Sequence, residues 1–201
     1  TAMAAMNEPL KKSRSKKYVP GSEILDFETL MEVAEQGGVK EIIASDLGLD
    51  VTGVSAKFSD AFCKALQANC GELEILSITD SYMNGEQAHR LAVAVNELPA
   101  FRRLILRGNS IGSSGVDLMA QKLLGNKCII VLDLDENGIG PDFPASIVAA
   151  LPALAKLNLY QNQIHKFSPK FLRNIPPTLE DVDLRKNAIK KEDLQKEMFP
   201  P

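Results

Sequence analysis

Apolar residues recur along this chain at fixed spacing, in the pattern L-x-x-L-x-L-x-x-N-x-L, where other large apolar residues can replace Leu. Four segments match the pattern throughout: 101–111, 129–139, 154–164 and 179–189. A fifth segment, 73–83, has Ser81 in place of Asn, and a weaker sixth, 39–49, has Leu47 there. Such recurrence predicts structural repeats that cannot bury their apolar faces alone and therefore stack into one continuous core.

The spacing of the copies predicts what lies between them. Position nine of the pattern falls at residues 81, 109, 137, 162 and 187, so the repeat shortens from 28 to 25 residues. A 28-residue unit has room for a strand, a turn and a helix of about three turns. Segments 85–98 and 113–124 are amphipathic, and Ser113 or Ser114 is expected to cap the second helix. In the 25-residue units, several prolines permit only short helical turns: Pro141, Pro144, Pro152, Pro169, Pro176 and Pro177.

The flanking segments predict caps for the array. Residues 22–36 and 54–69 have amphipathic helical patterns, and 190–199 can close the last repeat with a polar outer surface. The predicted organisation is a disordered basic leader over 1–20, whose first residues derive from cloning, and an N-terminal helical cap with a degenerate first repeat over 21–72. The repeat array then covers 73–189, and a C-terminal cap covers 190–201.

Each position of the pattern predicts a physical role. The apolar residues at positions one, four, six and eleven face the interior, where they stack on their counterparts in neighbouring repeats. The Asn at position nine lies where the strand turns, and its amide can pair with backbone groups that would otherwise lack partners. Asn109, Asn137, Asn162 and Asn187 are therefore expected to form a structural ladder.

These motifs resemble the leucine-rich-repeat (LRR) family, specifically its ribonuclease-inhibitor-like branch, over about residues 39–189. The Asn-x-Ile-Gly runs at 109–112 and 137–140 are typical of that branch. The departures are Leu47 and Ser81 at the Asn position and the shorter final repeats. The resemblance implies an α/β solenoid, a horseshoe segment with a parallel sheet on its concave face and helices or short helical turns on its convex face. It also implies protein binding as the usual task.

Alternation along each strand predicts which residues face a partner. Positions three, five, seven and often eight face outward on the sheet side, where neighbouring strands lie about 4.8 Å apart. The candidate partner-binding residues are Ile75, Thr79, Arg103, Ile105, Arg107, Val131, Asp133, Asp135, Lys156, Tyr160, Asp183 and Arg185.

Two features of this face favour a contact surface. Ile43, Ile75, Ile105 and Val131 form an apolar track across the first four strands. Tyr160 is the best single anchor, because aromatic and arginine residues dominate binding hot spots. For the nearby charges two interpretations remain open: Arg103 and Arg107 contact a partner, or they pair with Asp133, Asp135 and Glu136 and keep the face soluble.

Composition narrows the class of partner and compartment. The 201 residues are 45% hydrophobic, enough for a continuous core, but no apolar stretch approaches the length that crosses a bilayer. The net charge is −3, of which five basic residues between 11 and 17 contribute +5, so the body is acidic and argues against nucleic acid as the main ligand. The basic segment fits either a nuclear-import signal or a solvated leader. Three cysteines favour a reducing compartment, so we expect a cytoplasmic protein, with the nucleus as an alternative.

No catalytic or metal-binding motif is present in the sequence. His89 and His165 belong to no cluster with ligand spacing, and Cys63 and Cys70 fit buried core positions. Asp133 and Asp135 lie two apart on one strand face, where solvated charge is favoured over a cation site. The sequence therefore predicts a non-enzymatic chain without a cofactor or metal.

Three functional classes follow from these features. The favoured one is an intracellular adaptor or scaffold that binds another protein through its concave face and is monomeric in isolation. The second is a regulator of a GTPase or of the cytoskeleton, since the family includes the Ran GTPase-activating proteins and the tropomodulins, although six repeats are few for the former. The third is a secreted or surface recognition protein, against which the absence of cysteine-rich caps counts.

Overall fold

The repeats form one parallel sheet, and helices lie in the connections between its strands. The structure is a computed structural model that describes residue 19 and residues 21–142, 144–166 and 175–190. Its strands are β1 (Glu23–Ile24), β2 (Glu41–Ser45), β3 (Ile75–Thr79), β4 (Arg103–Ile105), β5 (Val131–Asp133), β6 (Lys156–Asn158) and β7 (Asp181–Asp183). Its helices are α1 (Phe27–Gln36), α2 (Thr52–Lys57), α3 (Cys63–Asn69), α4 (Gly85–Asn96), α5 (Gly112–Lys122) and α6 (Ala145–Ala150), and a π-helical turn, Phe58–Phe62, joins α2 to α3.

The strands follow one another in chain order from β1 to β7, and each pairs in parallel with the next. The register places equal positions of the pattern side by side: Leu76 pairs with Leu104, Leu104 with Leu132, and Leu132 with Leu157. The chain therefore has an α/β, leucine-rich-repeat-like fold, as the recurrence predicted. The predicted leader, apart from residue 19, and the predicted cap beyond residue 190 lie outside the described residues.

The interior positions of the pattern form the core. Leu104 and Leu132, both at position four, have no exposed surface, and Leu157 keeps 2%. In the last repeat the corresponding Val182 is half-buried and packs against the same core. Burial of each such side chain stabilises the fold by about 1.5–3 kcal/mol, so the stacked leucines are the main source of stability.

The position-nine asparagines form the predicted ladder. The Asn162 side chain donates to the carbonyls of Leu134 and Leu159, and its Oδ1 accepts from the backbone N–H groups of Asn137 and Ile139 at 3.1 and 2.9 Å. Asn109 makes the corresponding bonds to the preceding repeat, where Ser81 N–H and Met83 N–H are its donors. Each amide thus closes its own turn and the turn of the repeat before it.

Ser81 performs part of this role in the repeat that lacks Asn. Its hydroxyl accepts from the Leu47 N–H at 3.2 Å and donates to the Thr79 carbonyl at 2.7 Å. A hydroxyl has one donor hydrogen, whereas an amide has two, so Ser81 serves fewer backbone groups than Asn109 does. Ser81 therefore supplies only part of the hydrogen bonding that an asparagine supplies at this position.

The N-terminal segment differs from its prediction. Residues 22–36 do not form one helix: Glu23–Ile24 is a strand that pairs with β2 and gives the sheet seven strands instead of six. Helix α1 begins at Phe27, because the Asp26 side chain accepts from the Thr29 N–H at 2.8 Å and caps it. A two-residue strand is too short to show alternation. The predicted helix was therefore extended too far towards the N-terminus, over residues that form β1.

The predicted cap of α5 is also wrong. This helix begins at Gly112 without a side-chain cap, and the Ser113 hydroxyl instead bonds both backbone groups of Gly140 in the next repeat. The short helix predicted after Pro141 is confirmed, since α6 has six residues. The segment that follows Pro169 falls mostly outside the described residues.

Helices α4 and α5 approach closely at a pair of glycines. A Cβ on Gly115 would lie 2.5 Å from the Gly85 Cα, and a Cβ on Gly85 would lie 2.7 Å from the Gly115 Cα. Both values are well below van der Waals contact. The close packing of the two helices therefore depends on the absence of side chains at both positions.

We expect Asn162→Ala to lower the free energy of unfolding by about 3 kcal/mol, because two buried N–H groups lose their acceptor. Urea denaturation followed by circular dichroism measures the change. The matched control is Asn96→Ala, at an exposed residue that accepts one hydrogen bond from Asn126, and its effect should stay below about 1 kcal/mol. Equal effects of the two substitutions would contradict the structural role of the ladder.

We expect Gly115→Ala to destabilise the protein by about 1–3 kcal/mol, since the new methyl group meets the Gly85 backbone. Gly53→Ala, in α2, is the control, because a Cβ there meets nothing within 4 Å. That substitution should stabilise the fold by about 0.5–1 kcal/mol through helix propensity. Opposite signs in thermal unfolding support the close approach, and a stabilising Gly115→Ala refutes it.

Candidate binding surface

The outward residues of the strands form three rows across the sheet. The first row contains Glu41, Ile75, Arg103, Val131, Lys156 and Asp181. The second row contains Ile43, Ser77, Ile105, Asp133, Asn158 and Asp183. The third row, which continues just beyond the strands, contains Thr79, Arg107, Asp135, Tyr160 and Arg185. All twelve candidate partner-binding residues therefore lie together on one face.

The turn that ends each strand has the same backbone conformation in every repeat. The residue at position eight has a positive φ in all six copies: Asp46, Asp80, Gly108, Glu136, Gln161 and Lys186. Only one of these residues is glycine, although the left-handed region favours glycine. The conserved geometry directs the chain out of the sheet immediately before the ladder residue.

Asp135 is the one candidate that the structure takes away from the accessible surface. It was predicted to face a partner, but it keeps only 6% of its surface exposed. Its neighbours in the third row, Arg107 and Tyr160, carry much longer side chains and flank it on both sides. The alternation rule gives the direction of a side chain but not the height of the side chains beside it.

The apolar track is staggered across two rows instead of continuous. Ile75 and Val131 lie in the first row with Arg103 between them. Ile43 and Ile105 lie in the second row with Ser77 between them. Each aliphatic side chain therefore borders polar residues within its row and meets other aliphatic side chains only diagonally.

Arg103, on β4, and Arg107, in the turn after it, have different surroundings. Arg107 pairs with acids of the next repeat: its Nε lies 3.4 Å from Asp135 Oδ2, and its guanidinium lies 3.7 Å from Glu136. For Arg107 the interpretation that charges pair across strands is therefore right. Arg103 makes no side-chain hydrogen bond or ion pair with any of the described residues.

The remaining charges of β6 and β7 also pair within the face. Lys156 lies 3.7 Å from Asp181, and Arg185 lies 2.6 Å from Asp183. The hydrogen bond from Arg185 lowers the pKa of the Asp183 carboxyl. These pairs border an open groove of about 340 Å³. The groove therefore offers little unpaired charge to a ligand.

Tyr160 lies beneath two cations. The Lys186 ammonium is 4.9 Å from the centre of its ring and the Arg185 guanidinium is 5.7 Å from it. The alternation rule placed both Arg185 and Lys186, at positions seven and eight of the last repeat, on the outward face, but only Arg185 was chosen as a candidate partner-binding residue. Position eight lies beside the third row, which is the signal that could have added Lys186. The two cation contacts hold the Tyr160 ring half-buried on the face.

The Asp133 carboxylate of β5 takes part in hydrogen bonds through both of its oxygens. Asp133 Oδ1 accepts from the Asp135 N–H at 3.0 Å, and Oδ2 accepts from the Asn158 amide at 3.1 Å. Among the described residues, no group of three or more His, Cys, Asp or Glu side chains could hold a metal ion. The carboxylate of Asp133 instead fixes the end of its own strand and the side chain of the next.

Asp135 has an unusual electrostatic environment. Burial raises the pKa of its carboxyl, and Arg107 lowers it by a smaller amount. Its Oδ1 is buried and has no hydrogen-bond partner among the described residues. The ionised form is therefore less favourable in the folded protein than in water.

The histidines and cysteines lie away from this face. Burial raises the pKa of the Cys63 thiol to about 12 and raises that of Cys70 as well, so both are thiols rather than nucleophilic thiolates at neutral pH. His89 lies on α4 with its Nδ1 3.3 Å from the Leu118 carbonyl, and His165 is exposed after a repeat turn. None of the helices within the described ranges is long and apolar enough to cross a bilayer.

Comparison with known proteins yields only distant structural likenesses. No protein-family model and no curated protein matches the chain. Among solved structures, the chain is similar to the leiomodin-1 actin-binding site 2, with a TM-score of 0.46 and 15% sequence identity over 65% of this chain and 75% of that one. At that distance the likeness assigns no function, and the fold is established by the repeats and the strand register.

We expect Asp135→Asn to raise the free energy of unfolding at pH 7 and to lose that advantage as the pH falls. A carboxyl whose pKa is raised by folding costs stability when it ionises, and it costs none below the ordinary Asp pKa of about 3.9. Urea denaturation at several pH values measures the difference.

Asp183→Asn is the control of opposite sign. Because Arg185 lowers the pKa of Asp183, that carboxylate contributes stability at pH 7 that is lost as the pH falls through its folded pKa. This variant should therefore be less stable than wild type at neutral pH and should converge with it in acid. The same pH slope for both variants would refute the burial of Asp135.

Proposed function

We propose that this chain is a non-enzymatic protein-interaction module, an intracellular adaptor or scaffold, that binds a partner protein through the three rows of its sheet. The observation that carries the proposal is the exposed Arg103 among staggered aliphatic side chains, whose guanidinium has no ion-pair or hydrogen-bond partner within the described part of the chain. Charges that serve only solubility can pair with one another, as those around Arg107 do. Arginine is instead among the residue types enriched in binding hot spots, and the guanidinium of Arg103 can accept an external anion between its aliphatic neighbours.

We also propose the ribonuclease-inhibitor-like branch and a concave curvature for this face. The support is the presence of α4 and α5, of 12 and 11 residues, in the 28-residue repeats. Full helices are wider than strands, so stacking them on one side of a sheet favours curvature towards the strands. The shorter α6, of six residues, predicts weaker curvature in the later repeats.

The absence of catalysis is part of the same proposal. The two buried cysteines hold their protons at neutral pH, and both oxygens of Asp133 accept structural hydrogen bonds. The thiols would have to lose their protons to act as nucleophiles, and Asp133 would have to lose its hydrogen bonds to act as a general base. The polar residues of the face therefore suit recognition better than reaction.

An intracellular location and a protein partner complete the proposal. Cys63, Cys70 and Cys128 are all free thiols, which suits a reducing compartment. The net charge of −3 is unfavourable for binding phosphate backbones. A second protein is the ligand class that an open sheet face with mixed aliphatic and charged residues fits best.

Affinity capture with a triple variant, Arg103→Ala, Arg107→Ala and Tyr160→Ala, tests the proposal. We expect the wild type to retrieve a discrete partner that this variant loses, because truncation of a hot-spot residue such as Arg103 or Tyr160 costs about 2 kcal/mol or more. A variant with Arg90→Ala, Lys122→Ala and Gln121→Ala on the helices is the control and should retain the partner.

Site-specific crosslinking provides the independent readout. A photo-crosslinking residue at Ile105 should label the captured partner, whereas the same residue at Gln121 should not. Identical retrieval by both triple variants, or labelling from Gln121 alone, would refute binding through the sheet. A captured GTPase or actin would direct the proposal towards regulation of that protein.

A further inference from the structure

We infer that the first row binds an amphipathic helix of the partner. This helix places a carboxylate on Arg103, which lies between two aliphatic side chains. The inference rests on the proposed function and specifies the chemistry of the partner segment. The residues that carry it are Ile75, Arg103 and Val131, which are register partners on β3, β4 and β5, together with Ile105.

The charge of Arg103 distinguishes it from the other cations of the face. Arg107, Lys156 and Arg185 each lie within 4 Å of a carboxylate of the face. The side chain of Arg103 has no such partner among the described residues. The nearest acid on the next strand, Asp133, already uses both oxygens in hydrogen bonds. Arg103 is therefore the guanidinium that an external anion can bind without breaking an existing pair.

The aliphatic neighbours decide what kind of anion fits. Ile75 and Val131 border Arg103 within the row, and Ile105 lies two residues further along the same strand. A partner that covers these side chains removes water from the guanidinium, which costs free energy unless an opposite charge replaces the water. An apolar or basic segment would leave that cost uncompensated. The complementary segment therefore combines aliphatic side chains with a carboxylate.

Spacing favours a helix over an extended strand. Neighbouring strands lie about 4.8 Å apart, so Ile75 and Val131 are separated by about 10 Å across the row. A helix that crosses the strands rises about 5.4 Å per turn, so residues i, i+4 and i+7 on one face span about 10.5 Å. Same-face residues of an extended segment step by about 6.8 Å and span about 13.6 Å over three positions. The helix therefore matches three adjacent strands, and the extended segment does not.

Synthetic helical peptides test this chemistry directly. The probe is an alanine-rich peptide of about 20 residues with Leu at i, Glu at i+4 and Leu at i+7, and its matched peptide has Gln in place of Glu. The proteins are the wild type, Arg103→Gln and Lys122→Gln, of which the last changes the net charge equally at the end of α5. Nuclear magnetic resonance titration follows the methyl signals of Ile75, Ile105 and Val131.

We expect the Glu peptide to bind the wild type and Lys122→Gln equally, with shifts in those three methyl signals. Arg103→Gln should weaken the Glu peptide about tenfold. The Gln peptide should bind the wild type as weakly as the Glu peptide binds Arg103→Gln, and the substitution should not weaken it further. Unfolding in urea should be the same for all three proteins, because Arg103 is exposed.

Several results would overturn the inference. They are no binding of the Glu peptide at about millimolar concentration, equal binding of the two peptides, or shifts confined to other parts of the protein. If the peptides fail while the triple variant still loses its captured partner, then the sheet face binds a partner of different chemistry. If both experiments fail, then the proposed function fails as well.

Discussion

The hydrogen bonds of the position-nine asparagines are the interaction on which the rest of the structure depends. Each amide bonds backbone groups of its own turn and of the turn before it, as Asn162 does with Leu159 and Ile139. Because these groups are buried, water cannot serve them, and the amide fixes the height at which one repeat lies on the next. Repeats of 28 and 25 residues can therefore stack in one register, since the variation in length is confined to the helical side.

That common register creates the candidate surface. Residues of equal position become neighbours across strands, so the composition of a row is set by single positions drawn from separate parts of the sequence. In the first row this places Arg103 between Ile75 and Val131, and in the third row it places Arg107 beside Asp135. Arg107, whose charge is neutralised, thus lies only four residues along the chain from Arg103, whose charge is not. The same scaffold therefore carries an internally paired region and the arginine on which the proposed partner site rests.

The differences between prediction and structure have a common cause. Strand β1 was missed because two residues carry no periodicity, and its pairing with β2 depends on a partner strand 20 residues away. Ser113 was expected to cap its own helix, but it reaches Gly140 in the next repeat. Asp135 was expected to be accessible, but longer neighbours in its row cover it. In each case a contact between repeats prevailed over a local preference, because stacking places distant segments closer than sequence neighbours.

The sequence by itself determined the repeat, the parallel order of its strands, the buried leucine positions and the asparagine ladder. These follow from spacing, since one unit that recurs must satisfy the same backbone groups and bury the same face each time. It also determined which residues point out of the sheet, through simple alternation. Only the tertiary structure decided which of those residues are free to bind, as the contrast of Arg103 with Arg107 shows. Charge pairing acts over a few ångströms between strands, and that distance is set by register and side-chain length, neither of which periodicity encodes.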